Sequence, residues 1–415
     1  MATFTDISTI AGYLFNQAVG ASAISQIDRS ATYDLGEVMD ALQDASIGSD
    51  IIYKALIDRV GKTIVANRLY KNQFDWLAMD SFEYGYILQK VDVSLFTAQA
   101  NGKYYNGSSA DTALYSEFTP TIRVTLFSNS IAWEFPMTIT EVQLKTAFNS
   151  PEQLAAFING IYVAMDESMT KSLEDFARST LASYMGEKLA AQAAADAASP
   201  PVPTVQAINL IKAYNDETGG TVTTTSAWYT ADFLRWCTSK FIEIKGLMAN
   251  MTVLFNDSQR DKFTDGEYFR FVINSKFADC IKRFMTSNVY NDELITIPGI
   301  YREVDYWQGV GTTGSIVDRT TINAKLVSGA ESLGVFVNNT INKSYIIGAM
   351  FDRYAIGMTI YDRDTVAVEN KHRHRTNVFE QAAVGNFIDL AENGVVFYLE
   401  DLPEDEDDGG DGGEE

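Results

Sequence analysis

Residues 150–199 read SPEQLAAFINGIYVAMDESMTKSLEDFARSTLASYMGEKLAAQAAADAAS and end against Pro200-Pro201. Ser150 suits an N-cap and Pro151 the first helical position, and Gln153 completes a capping box with Ser150. Apolar residues recur at helical spacing through Leu154, Phe157, Ile158, Ile161, Met165, Met169, Leu173, Phe176, Leu181 and Tyr184, with Thr180 on the same stripe. Glu152, Asp166, Lys171, Glu174, Arg178 and Glu187 make up the opposite, polar face. Only Gly160 and Gly186 weaken the run, by about 1 kcal/mol each against alanine. A helix over 150–198 is about 70 Å long at the helical rise per residue, well beyond the usual globular helix. The stripe is not a strict heptad and mixes aromatic with small residues. The pattern therefore predicts a spine packed on a sheet rather than a coiled-coil arm.

Upstream, residues 82–140 turn to β periodicity. Tyr84, Tyr86, Leu88, Val91, Val93 and Leu95 lead out, and Ile122, Val124, Leu126, Ile131, Trp133 and Phe135 lead back. Between them lies AQANGKYYNGSSADTALYSEF, with Asn101-Gly102 and Asn106-Gly107 as turn signals. Pro120 and Pro136 sit near strand ends. A two-stranded excursion of this length is marginal alone in water and should lie on something else. It reads either as one hairpin of a sandwich or as an arm that packs on a neighbouring subunit.

Residues 1–49 look like an arm rather than a core. A helix is expected from Ser49-Asp50 to Gly61, then a strand over 63–70. Beyond the spine, 200–203 form a stiff linker. Helices are expected over 204–214, 230–246 and 268–285. Strands are expected over 251–257, near 294–307, over 324–327, 333–337 and 345–361, and in the closing segment 378–399. This mixture is an α+β pattern.

The chain has 415 residues, 46% hydrophobic and 12% aromatic, which supports a sizeable folded core. No apolar run approaches about 18 residues, so no transmembrane helix or other membrane association is expected. The opening MATFTDISTIAGYLF lacks the basic and apolar regions of a secretory signal. Cys237 and Cys280, the only cysteines, exclude a disulfide scaffold and read as small core residues. Net charge is −23, and residues 400–415, EDLPEDEDDGGDGGEE, supply ten acids and no base, so the rest still carries −13. Such a surface repels nucleic acid, and the acidic tail is expected to be a solvating segment without regular structure.

Little in the chain invites catalysis. Gly61-Lys62-Thr63 lacks the glycine that a phosphate loop needs five residues earlier; position 56 is Leu56. Two histidines leave almost nothing for a catalytic triad or a three-histidine zinc site. His372 and His374, with Asp362 and Asp364, share strand faces, but Lys371, Arg373 and Arg375 would oppose a cation. This basic cluster reads better as a loop that meets carboxylates; contact with nucleic acid is the other option. No metal, cofactor or catalytic residue is expected, and the content argues for a structural or binding role.

The order of elements carries a resemblance. LIDRVG at 56–61 followed by an apolar strand, LKTAF at 144–148 followed by FINGIY at 157–162, and LITIPGI within 291–309 are similar to segments of tailed-phage major capsid proteins. The chain resembles that family, whose Hong Kong 97 type of fold herpesviruses also use, and within it the small podophages of the phi-twenty-nine type. The likeness covers about half the chain. It implies an α+β fold with an N-terminal arm and first helix (1–62). A peripheral domain (63–81, 136–203 and 354–400) follows, with spine helix 150–198. It also implies an extended loop (82–135), an axial domain (204–353) and an acidic tail (401–415). The implied function is a non-enzymatic shell of pentamers and hexamers that encloses double-stranded DNA without sequence-specific binding. Portal and scaffolding proteins are the implied partners, and the place is the virion after assembly in the host cytoplasm. The loop tip, Asn101, Gly102, Lys103, Tyr104, Tyr105 and Asn106, becomes an intersubunit contact. An encapsulin-like compartment is the alternative within the fold; an acidic glycan-active enzyme is the alternative outside it.

Overall fold

The computed structural model describes residues 71–79, 87–96, 98, 119–127, 130–140, 151–286, 301–308, 319–326, 340–373 and 375–402. The arm and first helix, the strand expected over 63–70, Ser150, the strand expected over 333–337 and the tail beyond 402 lie outside these.

The chain divides into two units. One comprises Met1–Lys71, Trp133–Lys171 and Arg363–Ala382; the other comprises Asn72–Ala132, Ser172–Asp362 and Ala383–Glu415. Helix α1, Pro151–Ala197, is 47 residues without a break and contributes residues to both. The capping and stripe signals thus locate it to within a residue or two at each end.

In the first unit lie parts of three strands of one sheet: β3 (Ser130–Thr140), β10 (Ile356–Asn370) and β11 (Arg375–Ile388), ordered β10-β11-β3. Arg363 binds Asp166 on α1 and Glu380 on β11.

The second unit is built on a five-stranded sheet ordered β4-β12-β9-β5-β6. Its strands are β4 (Ala207–Asn209), β5 (Phe269–Asn274), β6 (Tyr301–Val304), β9 (Ile346–Asp352) and β12 (Gly394–Tyr398). All seven residues of β9 are buried, because both faces of the sheet are covered. On one face Phe271, Ile273, Met350 and Phe397 join a core with α2 (Leu210–Thr218), α3 (Ala231–Met248) and α4 (Ser275–Thr286). Phe241 of α3 stacks edge-on against Phe397 and Phe271 at 4.8 and 5.1 Å. On the other face Phe351 meets Tyr184 of α1 at 5.5 Å. Gly394 opens β12 beneath that tyrosine, where a Cβ would collide with the phenol oxygen. Strands β7 (Ile322–Lys325) and β8 (Thr340–Lys343) form a separate antiparallel pair.

Several expected elements are redrawn. The 204–214 helix gives way to β4 beside β12, and α2 starts only at Leu210. There the Asn209 carboxamide accepts from the amides of Ile211 and Lys212. Residues 268–285 are a strand and then a helix: FRFVIN joins the sheet, and the Asn274 side chain accepts from the Lys276 amide where α4 begins. Residues 251–257 are not a strand. Thr252 makes one bridge to Lys262, and the Asn256 carboxamide closes a turn through the backbone of Arg260. The long strand over 345–361 is two strands, because Asp352 accepts from the Tyr354 amide at 2.9 Å and turns the chain.

The polar face of α1 also needs correction. Glu174, Arg178 and Glu187 are buried. Arg178 pairs with Glu174 at 2.6 Å and donates to the Tyr306 carbonyl at 2.6 Å. Its guanidinium lies 4.6 Å from the Phe74 ring and 4.1 Å from Tyr306. Paired charge stacked on aromatics lets α1 bury Glu174 and Arg178 beside its apolar stripe.

Candidate functional site

The β excursion is two strands and a third element rather than one hairpin. β1 (Leu88–Val93) pairs antiparallel with β2 (Ile122–Phe127), with Val91 opposite Val124 and Val93 opposite Ile122. The returning chain then continues as β3 in the other sheet. Alternation gives this ribbon two faces. Leu88, Lys90, Asp92, Arg123, Thr125 and Phe127 lie on the half-buried face. Val91, Val93, Ile122, Val124 and Leu126 lie on the other, each between 50% and 62% exposed. Leu95 and Phe96 extend the exposed apolar strip. The usual arrangement is reversed: the polar face turns toward the chain's own body and the apolar face away from it.

An ionic cluster holds that polar face down. Lys90 Nζ lies 2.6 Å from Asp389 and 2.7 Å from Glu392. Asp92 receives Lys262 at 3.0 Å and Arg260 at 3.6 Å, and Lys262 reaches back to Glu392 at 3.2 Å. Burial depresses the Lys262 pKa, but its hydrogen bond to Asp92 and the charge of Glu392 outweigh this and raise it. Phe127 adds a ring contact to Phe387 at 5.5 Å.

Beneath the same carboxylates lies a feature that sequence reading missed. Lys188, near the end of the buried stripe of α1, is fully buried. Its ammonium donates to Gln206 Oε1 at 2.7 Å and to the Phe255 carbonyl at 3.1 Å. Burial lowers its pKa to about 7, against the pull of Asp257, Asp389 and Glu392. The available signal was a lysine one turn beyond Tyr184, on the apolar face. Unfolded lysine titrates near 10.4, so between about 7 and that value the unfolded chain binds more protons. Stability should therefore rise with pH across this window, by at most about 1.4 kcal/mol per unit, and be insensitive to this group below it. Urea unfolding of the native chain and of Lys188→Met from pH 7 to 9.5 checks this: the native chain should show the steeper rise, and parallel curves would refute it.

The loop tip Asn101, Gly102, Lys103, Tyr104, Tyr105 and Asn106 lies outside the described residues, as does His374. The rest of the basic cluster is placed. Lys371, His372 and Arg373 form an exposed 3-10 turn between β10 and β11, and Arg375 opens β11. Among the described residues, the one ion pair of this turn is Lys371 with Glu369, at 3.9 Å. Among them, too, no group of carboxylates, histidines and cysteines is arranged to hold a metal.

A family-wide sequence profile for the Phi29-like phage major capsid protein matches residues 15–398. This chain belongs to that family. The major capsid protein of Bacillus phage GA-1 is 24% identical over 127 residues, 31% of this chain and 26% of that protein. The chain thus matches about a quarter of the length of this curated relative. A chain in the capsid structure of Staphylococcus phage Andhra superposes with a TM-score of 0.54 at 10% identity, over 82% of this chain and 88% of that one. A chain in the structure of head fiber and inner core protein gp22 of native bacteriophage P68 does so with 0.54 at 11% identity, over the same 82% and 88%. At such identities the likeness is one of fold: the α+β, Hong Kong 97 type expected for tailed-phage capsid proteins. In a member of a capsid protein family, the ribbon with its apolar face turned outward is the outstanding surface. No helix is long and apolar enough to cross a membrane among the described residues.

Proposed function

We propose that the chain is the shell subunit of a tailed-phage head, and that the segment 82–135 lies across the next subunit. The observation that carries this is the reversed ribbon, β1 with β2, whose apolar face finds no cover in its own chain among the described residues. Exposed apolar surface of this kind marks a contact site, and a symmetric closed assembly is the economical way to cover it in every copy. On this reading the subunits form pentamers and hexamers, with residues 204–353 as the axial domain. The spine helix, with 63–81, 136–203 and 354–400, makes the peripheral domain. The tip Asn101–Asn106 touches the neighbour, and the basic turn at Lys371, His372, Arg373 and Arg375 faces its acidic surface. Portal and scaffolding proteins complete the head, double-stranded DNA is enclosed without sequence-specific contact, and assembly takes place in the host cytoplasm. The role is structural and no catalytic group is assigned.

Negative-stain microscopy of the purified chain should show closed shells; dispersed particles only would reject the reading. Deleting 102–108 should leave a soluble, folded chain that makes no shells. Normal shells from that deletion would remove the loop from the contact while leaving the shell itself standing.

A further inference from the structure

In a chain of net charge −23, three arginines stand together with no acidic ion-pair partner among the described residues. Arg270 on β5 lies opposite Phe351 of β9, and Arg302 on β6 lies opposite Val272, two residues along β5 on the same face. Arg353 follows β9 by one residue, its amide bonded to the Tyr268 carbonyl at 2.8 Å. Arg270 spends its donors on the backbone carbonyls of Glu267 and Phe269, at 2.7 and 2.9 Å. Among the described residues no carboxylate forms an ion pair with any of the three, although Lys90, Arg178, Lys262, Lys282 and Arg363 each have one. Burial lowers the Arg270 pKa, and so does repulsion from Arg353 and Arg302, against Asp352 and Glu267. Arg270 and Arg353 also line a small cleft of about 10 Å³, room for about one water, with Trp76, Leu77, Met79, Phe351 and Ile356, and no carboxylate lines it. Guanidinium groups on an apolar floor favour a planar, doubly accepting oxyanion.

We propose that this cluster is the docking site of the chain's own acidic segment 403–415. Three observations select that occupant. The segment has the composition PEDEDDGGDGGEE, eight acids and no base. The place where it leaves the fold is fixed: Asp401 accepts from the Thr224 amide and hydroxyl at 2.7 and 2.8 Å, and Glu400 pairs with Lys343 at 2.6 Å. The exit belongs to the same sheet as the arginines. Tyr398 pairs with Ile346 and Arg270 with Phe351, so the cluster lies five residues along from Tyr398 and up to three strands across; the exit lies a few residues beyond Tyr398 on the far side, roughly 30 Å from the cluster. Thirteen residues reach about 45 Å when extended and average about 20 Å as a coil. Tethering supplies an effective concentration on the order of millimolar, and the contact is screened by salt.

The test uses a labelled synthetic peptide of residues 403–415 and four full-length proteins: native, one whose eight acids in 403–415 are changed to Asn or Gln, and that neutralised chain carrying either Arg302→Glu with Arg353→Glu or Arg302→Lys with Arg353→Lys. Fluorescence anisotropy at about 50 mM salt should show the peptide binding the neutralised chain at least tenfold more tightly than the native chain. The arginine reversal and 0.5 M salt should each abolish binding, and Arg302→Lys with Arg353→Lys should retain most of it, which separates charge from misfolding. Equal binding to native and neutralised chains, or binding indifferent to the reversal, would overturn the proposal. So would a double-stranded oligonucleotide that displaces the peptide at lower concentration, since the cluster would then be a phosphate site.

Discussion

Val91→Asp combined with Val124→Asp is expected to give a folded subunit that forms no shells. The two valines are cross-strand partners on the outward face of the ribbon, and both are more than half exposed in the isolated chain. Aspartates there stay hydrated in the free subunit, so circular dichroism should hardly move and the unfolding midpoint should fall only slightly, through repulsion across the pair. Once a neighbour covers the face, each carboxylate must be stripped of water without a partner, a cost of several kcal/mol repeated at every contact of the lattice. Sedimentation and electron microscopy should find no closed particles where the native chain makes them. Lys90→Met tests the other face of the same ribbon: it strips Asp389 and Glu392 of a shared cation, so here the free subunit should lose stability. Shells from the double aspartate variant would mean that the apolar face is not the contact.

The second large effect is at Arg178. Arg178→Met should destabilise the chain by about 3–5 kcal/mol, because it breaks a buried ion pair and removes a guanidinium stacked on Phe74 and Tyr306. The double change Arg178→Met with Glu174→Leu should recover much of that loss, since removing both charges also removes the desolvation they cost. Denaturant unfolding with an unchanged m-value is the measurement. If the double variant is no better than the single one, the stacking of the guanidinium on Phe74 and Tyr306 is the larger contribution.

These residues also mark where sequence reading stops. The length of α1 was legible because its apolar spacing, its N-terminal proline and the Pro200 stop are all local signals. The fate of Glu174 and Arg178 was not, since Tyr306 and Phe74 come from distant parts of the chain. For β1 and β2, alternation announced two unlike faces, but nothing local says which face meets the body. That depended on Asp389 and Glu392, nearly 300 residues further on. FRFVIN ran into SKFADC without a proline or glycine between them, so strand and helix merged into one expected helix. The arginine trio at 270, 302 and 353 exists only through strand register and had no signature at all. The family, in contrast, was legible from the order of its elements, which survives where individual contacts cannot be read.

Among the described residues, β1 and β2 pair only with each other, so both margins of the ribbon present unpaired amides and carbonyls beside a strip of valine, isoleucine and leucine. Such margins template strand addition by any passing chain. On the proposed reading, assembly covers these margins, whereas free subunits at high concentration should aggregate through them. On that reading, recovery of assembled product should fall as free subunits accumulate, even where the monomer itself is stable.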